Sequence, residues 1–427
     1  MSIDFDLLLY NTLRRVLGHV KRLNYPSDSS IIDSFSQREE LSVIRRIRQK
    51  GSINVAFFCM SVSLWKYETL FQHMLKDTRF NPIFFISPKL DIYKAMKKEI
   101  RMMKDYCNNM KFPYVDLKNS FFYVGQDISK YDVDIAFYTQ PYSRISCREY
   151  YYDRMINSLL CYTPYGYLIS KMKHNYVAVL NKIAWKNYMP THVSKEIALS
   201  FDPTYKNLYE FGFLGYDMYK NCDAYKWGKE GTKRIIWAPH YSVQAGGWIQ
   251  LSSFLHICDF MIQMVRKYEN KVSFAFKPHP YLYPSLCKQW GRKRTDDYYR
   301  LWDSMPNSIL YTRGSYPLMK SSDALIHDCA SFLLDYMYTQ NPCLYVSLSG
   351  HLNVDTGQDG IDAYEAHYHA QSKEEIESFI DEVILGNNDT LIDKRRKVLN
   401  DHIIMPENQS TAQVITEDIW DSINTQE

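Results

Sequence analysis

"SSDALIHDCASFLLDYMYTQNPCLYVS", residues 321–347, is the stretch of this sequence that decides its fold. "SDALIHD" has the length of a buried strand, "SFLLDYMYTQ" has a helical pattern, and "PCLYVS" is a second strand. A strand, a helix and a further strand in this order are typical of the βαβ unit of a parallel sheet. The sequence therefore predicts a parallel α/β architecture with small residues at the turn between strand and helix.

The βαβ pattern occurs in two successive series. The first begins at residue 53 with "INVAFFCM", the helical "SVSLWKYETLFQHMLKD" and the strand "FNPIFFIS". The second begins with "RIIWAPHYS", the helical "SFLHICDFMIQMVRKYEN" and "KVSFAFKPHPYLY", after a break near residues 215–230. Because 427 residues exceed what one hydrophobic core usually supports, we predict two Rossmann-like parallel-sheet domains that face each other across a cleft.

The predicted boundaries divide the chain into four parts. A basic helical arm covers residues 1–50, the two Rossmann-like domains cover 51–215 and 216–395, and closing helices cover 396–427. Residues 5–24 have helical spacing with interspersed arginine and lysine, and a second basic helix ends in "VIRRIRQKG". The arm is interpreted as docking on the protein's own surface. The alternative is a helix that rests on an anionic membrane face.

Composition excludes several classes of protein. A net charge of +3 is too small to indicate a nucleic-acid binder, and the nine scattered cysteines, without CxxC, indicate free thiols in a reducing cytoplasm. We find no run of about 18 apolar residues, which a membrane span needs. The first strand is not followed by GxGxxG, and GxxxxGK[ST] is absent, which argues against a dinucleotide-binding dehydrogenase and a P-loop enzyme.

Reactive side chains follow the strands of the second series. "WAPHYS" contains His240, and "FKPHP" contains Lys277 and His279. Open α/β sheets bind ligands outside the carboxyl ends of their strands, so these positions favour a site. A histidine there can act as a base at neutral pH or, when protonated, as a partner of an anion. A structural role for each histidine is the alternative.

The turn "HDCAS" predicts an anion site. If Asp328 or Cys329 caps the following helix, the free amides of Ala330, Ser331 and Phe332 point out of its first turn. Small residues would let a phosphate come close, and the Ser331 hydroxyl could donate a further bond. Simple capping without a ligand is the alternative, because Asp and Ser are favoured at such positions.

Three further groups of residues are candidates. Arg313 in "LYTRGSYPLMKSSD" precedes the helix and is predicted to clamp a phosphate, with a solvated surface arginine as the alternative. Tyr162, Tyr165 and Gly166 in "CYTPYGYLIS" follow a strand of the first series, and they line either an acceptor cleft or the domain core. "DAYEAHYHA" has HxH spacing, which we interpret as structural because too few ligands accompany it for a metal.

Together these stretches resemble the CDP-glycerol glycerophosphotransferase family of teichoic acid synthesis. The likeness covers roughly residues 130–420. The motifs that carry it are "CYTPYGY", "IIWAPHYSVQAGGW", "FAFKPHP", "SYPLMKSSDALIHDCASFLLDYMYTQNPCLY" and "RRKVLNDHIIMPENQSTAQVITEDI". The resemblance implies a GT-B architecture, in which residues 216–395 hold the nucleotide of the donor and residues 51–215 receive the acceptor.

The resemblance also assigns residues. The family's His-Pro motif matches His279 and Pro280, its strand-end acid and helix-start serine match Asp328 and Ser331, and its helix acid matches Asp335. The donor is expected to contact these residues together with Lys277 and Arg313. A loop histidine follows proline at Pro239–His240. Teichoic-acid members carry Trp-His-Gly-Thr-Pro with a catalytic histidine, whereas this chain reads Leu-Cys-Tyr-Thr-Pro at residues 160–164.

The implied reaction moves glycerol phosphate from CDP-glycerol to a hydroxyl of a cell-surface glycan or lipid-linked acceptor, with CMP as leaving group. His240 or His279 is the expected general base and the other a phosphate partner. No cofactor or metal is expected, and the expected location is the bacterial cytoplasm, with the inner membrane face as an alternative. The alternative functions are a GT-B glycosyltransferase that uses a nucleotide sugar for capsule or similar polysaccharides, and a non-catalytic scaffold of polysaccharide assembly.

Overall fold

The structure, a computed structural model, describes residues 25–88, 93–118, 124–142, 147–243, 251–350, 352 and 354–425. The helix predicted over residues 5–24 lies outside this part of the chain. The described residues form two compact units, each with its own parallel sheet and hydrophobic core. The prediction of two Rossmann-like α/β domains is confirmed in this respect.

The units are composed differently from the predicted segments. Unit 1 contains the described residues up to Gly166, then Met172–Asp217 and the residues from Met405 onward. Unit 2 contains Tyr167–Lys171 and Met218–Ile404. The closing helices predicted over residues 396–427 are divided between the two units, because the chain leaves unit 2 and returns to unit 1 within this segment.

Unit 1 alternates strands with helices along the chain. Its elements are α1 (Asp28–Gln37), α2 (Glu40–Arg48), β1 (Ile53–Cys59), α3 (Glu68–Lys76), β2 (Phe80–Ile86), α4 (Tyr93–Met110), β3 (Tyr114–Val115), β4 (Ile135–Tyr138), β5 (Leu159–Tyr162), α5 (Val179–Ile183), β6 (Lys186–Tyr188), α6 (His192–Phe201), β7 (Leu208–Tyr209) and α7 (Leu214–Asn221), the last of which leads into unit 2. The strands pair in the order β3-β2-β1-β4-β5-β6-β7, and every pair is parallel.

The basic helix α2 packs on unit 1. Its buried residues are Val43, Ile44 and Ile47. A guanidinium nitrogen of Arg46 lies 3.2 Å from the buried carboxylate of Asp134, and Arg48 Nε donates to the Ile423 carbonyl oxygen over 2.8 Å. Both the apolar face and two of the cations of α2 are thus used within unit 1, as the docking interpretation of this helix predicts.

Unit 2 begins a second α/β series. Its elements are β8 (Lys233–Ala238), α8 (Phe254–Lys267), β9 (Val272–Phe276), α9 (Leu282–Trp290), α10 (Arg292–Ser304), β10 (Ser308–Leu310), α11 (Ser315–Met319), β11 (Ala324–His327), α12 (Phe332–Asp335), β12 (Cys343–Val346), α13 (Gln358–Glu365), β13 (Tyr368–Ala370), α14 (Lys373–Ser378), a π-helical segment (Phe379–Leu385) and α15 (Ile392–His402); α16 (Thr411–Asn424) then completes unit 1. The strand order is β10-β9-β8-β11-β12-β13, again with parallel pairs.

Four large aromatic rings fix the ends of the central strands of unit 2. Trp237 of β8 stacks on Phe254 with ring centroids 5.5 Å apart, and it lies 5.1 Å from Phe276 at the end of β9. Phe276 stacks in turn on Trp302, at 4.9 Å. Interlocked rings of this size leave the strands little freedom to slide. The loops that follow β8 and β9 therefore start from a rigid base.

The helix predicted over "SFLLDYMYTQ" is shorter than its pattern indicates. It forms a four-residue α-helix, α12, and continues as a 3-10 helix over Tyr336–Thr339. Its apolar residues Leu333, Leu334, Tyr336 and Met337 are all buried. The segment is thus helical over residues 332–339, as predicted, but only its first four residues are α-helical, and packing on nearly every side can override local propensity in this way.

We expect Asp217→Ala to lower the free energy of unfolding by about 2 kcal/mol or more, because two buried amides would lose their acceptor. Asp217 is 3% exposed, and its carboxylate accepts hydrogen bonds from the N–H groups of Thr411 (3.1 Å) and Ala412 (2.8 Å) at the start of α16. Urea unfolding of unit 1 measures the change. The exposed Asp223→Ala is the matched control, with an expected change below about 0.5 kcal/mol; equal effects of the two substitutions would contradict the assignment.

Candidate functional site

The carboxyl ends of β8 and β11 meet where the strand order of unit 2 reverses. From β8 the chain runs outward to β9 and β10, and it then crosses to β11 on the other side of β8. Ligands of open α/β sheets bind at such a switch point. His240 follows β8, Asp328 follows β11, and His279 follows the neighbouring β9. Three predicted site residues therefore lie at adjacent strand ends.

Asp328 joins the two loops at the switch point. Its Oδ1 accepts a hydrogen bond from the His240 N–H over 2.5 Å, and its Oδ2 accepts one from the Ser253 N–H over 2.7 Å. Ser253 is the residue before α8, so one carboxylate holds both ends of the chain between β8 and α8. The side chain is almost fully enclosed, with 2% of the residue exposed.

This arrangement corrects the predicted role of Asp328. The carboxylate was expected to cap the helix after β11 or to contact the donor, but both of its oxygens bond to amides of the β8–α8 connection. Burial raises the pKa of Asp328 to about 6, although the amides of His240 and Ser253 favour the charged form. A buried anion held in this way positions other groups and is poorly suited to contact a phosphate.

His240 is held through its Nδ1 atom. The Ser242 Oγ lies 2.9 Å from His240 Nδ1, and the Ser242 N–H donates to the same atom over 3.3 Å. Ser242 Oγ already accepts from the N–H groups of Leu251 (2.9 Å) and Ser252 (3.2 Å), so its own proton is left to donate to the imidazole. Nδ1 of His240 is therefore an acceptor, and the ring proton resides on Nε2.

His279 is held in the same manner by the loop after β9. Its Nδ1 accepts a hydrogen bond from the backbone N–H of Tyr281 over 3.1 Å. The backbone N–H of His279 donates to the Pro239 carbonyl oxygen over 3.2 Å. The ring proton of a neutral His279 thus also resides on Nε2. Because the His279 backbone bonds to the residue before His240, the two loops continue side by side beyond the sheet.

The two imidazoles lie close together and are neutral near pH 7. Their ring centroids are 5.3 Å apart. Burial lowers the pKa of His240 to about 4, and burial together with the neighbouring His240 and Lys277 lowers the pKa of His279 to about 3. Both residues are nevertheless partly exposed. Two neutral imidazoles thus lie side by side at the switch point, and each carries its proton on Nε2.

Two cationic side chains accompany the histidines. Lys277 Nζ donates to the Arg313 carbonyl oxygen over 3.0 Å and lies 5.8 Å from the centre of the Tyr311 ring. Arg313 is exposed in the loop after β10, and its guanidinium forms no hydrogen bond or ion pair with any residue that the structure describes. The two cationic side chains therefore follow neighbouring strands, β9 and β10, at the same edge of the sheet as the histidines.

The turn after β11 offers fewer free amides than predicted. The Phe332 N–H donates to the Cys329 carbonyl oxygen over 3.3 Å, so it is already used. The N–H groups of Ala330 and Ser331 have no acceptor within the described part of the chain, and the Ser331 side chain is exposed and makes no capping bond. Asp335, which the resemblance predicts to contact the donor, is only 9% exposed and lies at the C-terminal end of α12, away from the exposed Ser331.

The predicted acceptor residues of unit 1 fall into two groups. Tyr162 is 1% exposed at the end of β5 and belongs to the hydrophobic core, which supports the alternative interpretation for this residue. Tyr165 and Gly166 are partly exposed in the loop that follows. Only these last two therefore remain candidates for contact with a ligand.

The HxH cluster is not arranged as a metal site. His367 is 2% exposed, and its Nδ1 donates to the Ala363 carbonyl oxygen over 2.6 Å. His369 is exposed, and its Nε2 donates to the Tyr364 carbonyl oxygen over 2.8 Å. Among the described residues we find no group of three or more His, Cys, Asp or Glu side chains that could hold a metal ion.

Some residues around the site were not predicted from the sequence. They are Ser242 and Ser253, which complete the hydrogen bonds of His240 and Asp328, and Tyr241 and Tyr281, whose rings border the histidines. No sequence signal identifies the two serines: Ser242 bonds to His240 within one irregular loop, and the partner of Ser253, Asp328, follows another strand. A groove of about 540 Å³ between Tyr283, Tyr299 and Leu310 contains none of the predicted site residues.

Comparison of the sequence with family models and with curated proteins finds no match. Within the described part of the chain, no helix has the length and apolar character that a membrane crossing requires.

Solved structures, in contrast, are similar in fold. A UDP-N-acetylglucosamine 2-epimerase matches with a TM-score of 0.56 at 10% identity, over 88% of this chain and 98% of its own. The Neisseria meningitidis UDP-GlcNAc 2-epimerase bound to UDP-GlcNAc matches with a TM-score of 0.53 at 12% identity, over 86% and 99%. The wall teichoic acid polymerase TagF matches with a TM-score of 0.55 at 12% identity, over 97% and 98%. The chain therefore has the two-domain α/β fold that these enzymes share.

Proposed function

We propose that this protein transfers glycerol phosphate from CDP-glycerol to a hydroxyl group of a cell-surface glycan or lipid-linked acceptor. The acceptor oxygen forms a bond to the phosphorus of the glycerol phosphate. The bond between that phosphorus and the oxygen bridging to CMP breaks, CMP leaves with the electron pair, and the hydroxyl proton passes to solvent. No cofactor and no metal are part of this proposal.

The observation that carries the proposal is the pair of neutral imidazoles at the switch point. His240 and His279 each accept a hydrogen bond from a backbone N–H at Nδ1, which leaves Nε2–H as the outward donor. Two such donors, on rings whose centroids are 5.3 Å apart, suit the oxygens of a diphosphate. Donors that are fixed before the reaction stabilise the charge that develops on the transferred group without reorganisation.

These hydrogen bonds change the expected role of the histidines. A general base must present a nitrogen lone pair to the acceptor hydroxyl, whereas Nε2 of both neutral rings carries a proton. We therefore propose both His240 and His279 as hydrogen-bond donors to the donor's phosphates, and neither as the base. Phosphoryl transfer through a loose transition state depends mainly on positioning and electrostatic stabilisation, so a strong base is not required.

The remaining donors complete a binding site for the diphosphate. The free N–H groups of Ala330 and Ser331 and the exposed Ser331 hydroxyl lie in the loop after β11. Lys277 and Arg313 supply positive charge from the loops after β9 and β10. α12 has only four residues, so these groups, rather than its helix dipole, would hold the anion. Tyr165 and Gly166 of unit 1 are the candidates for contact with the acceptor.

The choice of CDP-glycerol rests on the resemblance of the sequence motifs and on the shared fold. TagF matches nearly the whole chain, and one structure of TagF was soaked with CDPG. The second candidate is a reaction of a nucleotide sugar, which is favoured by the similar fold of the epimerases, one of them bound to UDP-GlcNAc. The same donors would hold the diphosphate of either compound.

The decisive experiment incubates the purified protein with a membrane or glycan acceptor fraction and one donor at a time. CDP-glycerol, UDP-GlcNAc and other UDP-, GDP- and CMP-sugars are compared by release of the nucleotide and by radiolabel in the acceptor. The proposal predicts CMP release from CDP-glycerol with transfer of glycerol phosphate. Transfer or epimerisation of a sugar from a nucleotide sugar would establish the second candidate, and no turnover of any donor would support a scaffold.

We expect His240→Ala and His279→Ala each to lower kcat by a factor on the order of 10² to 10³, which is typical of the loss of one fixed donor to a developing oxyanion. The free energy of unfolding of each variant is measured in parallel. His256→Ala, an exposed histidine on α8, is the matched control and should retain the parent kcat. Variants of His240 and His279 that fold and keep full activity would contradict the assigned roles.

Nitrogen-15 NMR of the histidine rings should show His240 and His279 as neutral Nε2–H tautomers at pH 7, still neutral at pH 5. Because their folded pKa values, about 4 and 3, lie below the unfolded value of about 6.5, the unfolded chain takes up more protons between these limits. The free energy of unfolding should therefore fall as the pH is lowered from about 6.5 toward 4. Signals of Nδ1–H tautomers, or titration of either ring near pH 6.5, would refute the assignment.

A further inference from the structure

Three rings beside the proposed diphosphate site contact one another, and we call this group the aromatic platform: Tyr241, His279 and Tyr281. The Tyr241 and His279 centroids are 4.6 Å apart, and Tyr281 lies 5.7 Å from each of them. The rings of His279 and Tyr281 are inclined by only 29°. Tyr281 is 61% exposed, which makes it the most exposed large apolar side chain among the described residues.

The platform is held in place by the backbone around it. The Tyr281 N–H donates to His279 Nδ1 over 3.1 Å, and the next residue, Leu282, is fully buried at the start of α9. Tyr241 follows His240, whose N–H is fixed by Asp328. An exposed ring on a fixed backbone loses little conformational freedom when a ligand covers it, so the position is favourable for stacking.

The charges around the platform indicate which kind of molecule would cover it. Lys277 and Arg313 lie in the same and the adjacent loop, and the Nε2–H of His279 belongs to the same ring that Tyr281 stacks on. A ligand that fits must therefore combine anionic groups with a flat, uncharged face. A nucleotide has this combination, since every base has a π-face that stacks on aromatic side chains.

We propose that the aromatic platform binds the nucleobase of the donor, with the exposed face of Tyr281 as its stacking surface. This inference rests on the proposed function in that it takes the phosphates to lie at His240 and His279. It extends that function by assigning the base to a residue that neither the motifs nor the shared fold identify. Stacking alone accepts any base, so the platform supplies affinity for nucleotides as a class.

The test compares two ligands that differ in the base alone. Binding of CMP and of ribose 5-phosphate to the full chain is measured by isothermal titration calorimetry, for the parent protein, Tyr281→Ala, Tyr281→Phe and the control Tyr283→Ala. Tyr283, in α9, is the next tyrosine in the sequence. Its hydroxyl donates a hydrogen bond of 2.6 Å to Asp296, which is not part of the platform. The Tyr281 substitutions keep the backbone N–H that holds His279.

We expect Tyr281→Ala to weaken CMP binding by about 5- to 150-fold, the range that corresponds to the loss of one base–aromatic stack. Binding of ribose 5-phosphate should be unchanged in all variants, and Tyr281→Phe and Tyr283→Ala should bind CMP like the parent. These results together would support the proposal that the platform binds the nucleobase.

Other results separate this inference from the proposed function. Tyr281→Ala could weaken the binding of CMP and of ribose 5-phosphate equally, or weaken neither, while the protein still turned over CDP-glycerol. In that case the proposed role of the platform would be refuted and the proposed function would stand. If CDP-glycerol gave no turnover but UMP or GMP bound in a Tyr281-dependent way, the platform would stand and the proposed function would fall. If the parent protein bound none of CMP, UMP, GMP and AMP, the platform would be refuted as well.

Discussion

The buried carboxylate of Asp328 is the constraint on which the site of unit 2 depends. It bonds to the backbone at His240 and at Ser253, so it fixes the start and the end of the connection between β8 and α8. A carboxylate with 2% exposure is costly to bury unless its oxygens are satisfied, and here two amides satisfy them. The positions of the neighbouring loops depend on this interaction, since it fixes the backbone at His240 and at Ser253.

The chemistry of the site follows from how the histidines are held. Each imidazole receives a backbone N–H on Nδ1 and lies in surroundings that disfavour its charged form, so both offer a proton on Nε2 near neutral pH. The rings are thus uncharged, and each can donate a directional hydrogen bond. Positive charge comes separately from Lys277, in the same loop as His279, and from Arg313, in the loop after the edge strand β10. This division of roles suits an anion that must be both bound and released.

Much of the fold could be predicted from the sequence, but less of the site could. Continuous apolar strands and helical spacing reveal the βαβ order locally. Because loops after parallel strands meet at one edge, the sequence predicts that His240, His279 and Asp328 lie together. The bonding of Asp328 could not be foreseen, because its partner amides lie 75 and 88 residues away in the chain. The shortness of α12 depends on tertiary packing, which local patterns do not show, and only the structure decides between the two interpretations of Tyr162, which is buried.

The central claim is that Asp328 fixes the backbone at His240, and that the imidazoles of His240 and His279 are donors to a diphosphate. A crystal structure of the protein with CDP-glycerol bound tests it most directly. The account predicts phosphate oxygens within about 2.7–3.2 Å of Nε2 of both His240 and His279, with Asp328 still bonded to the amides of His240 and Ser253. A diphosphate bound away from the two rings, or an Asp328 carboxylate turned toward the ligand, would contradict it.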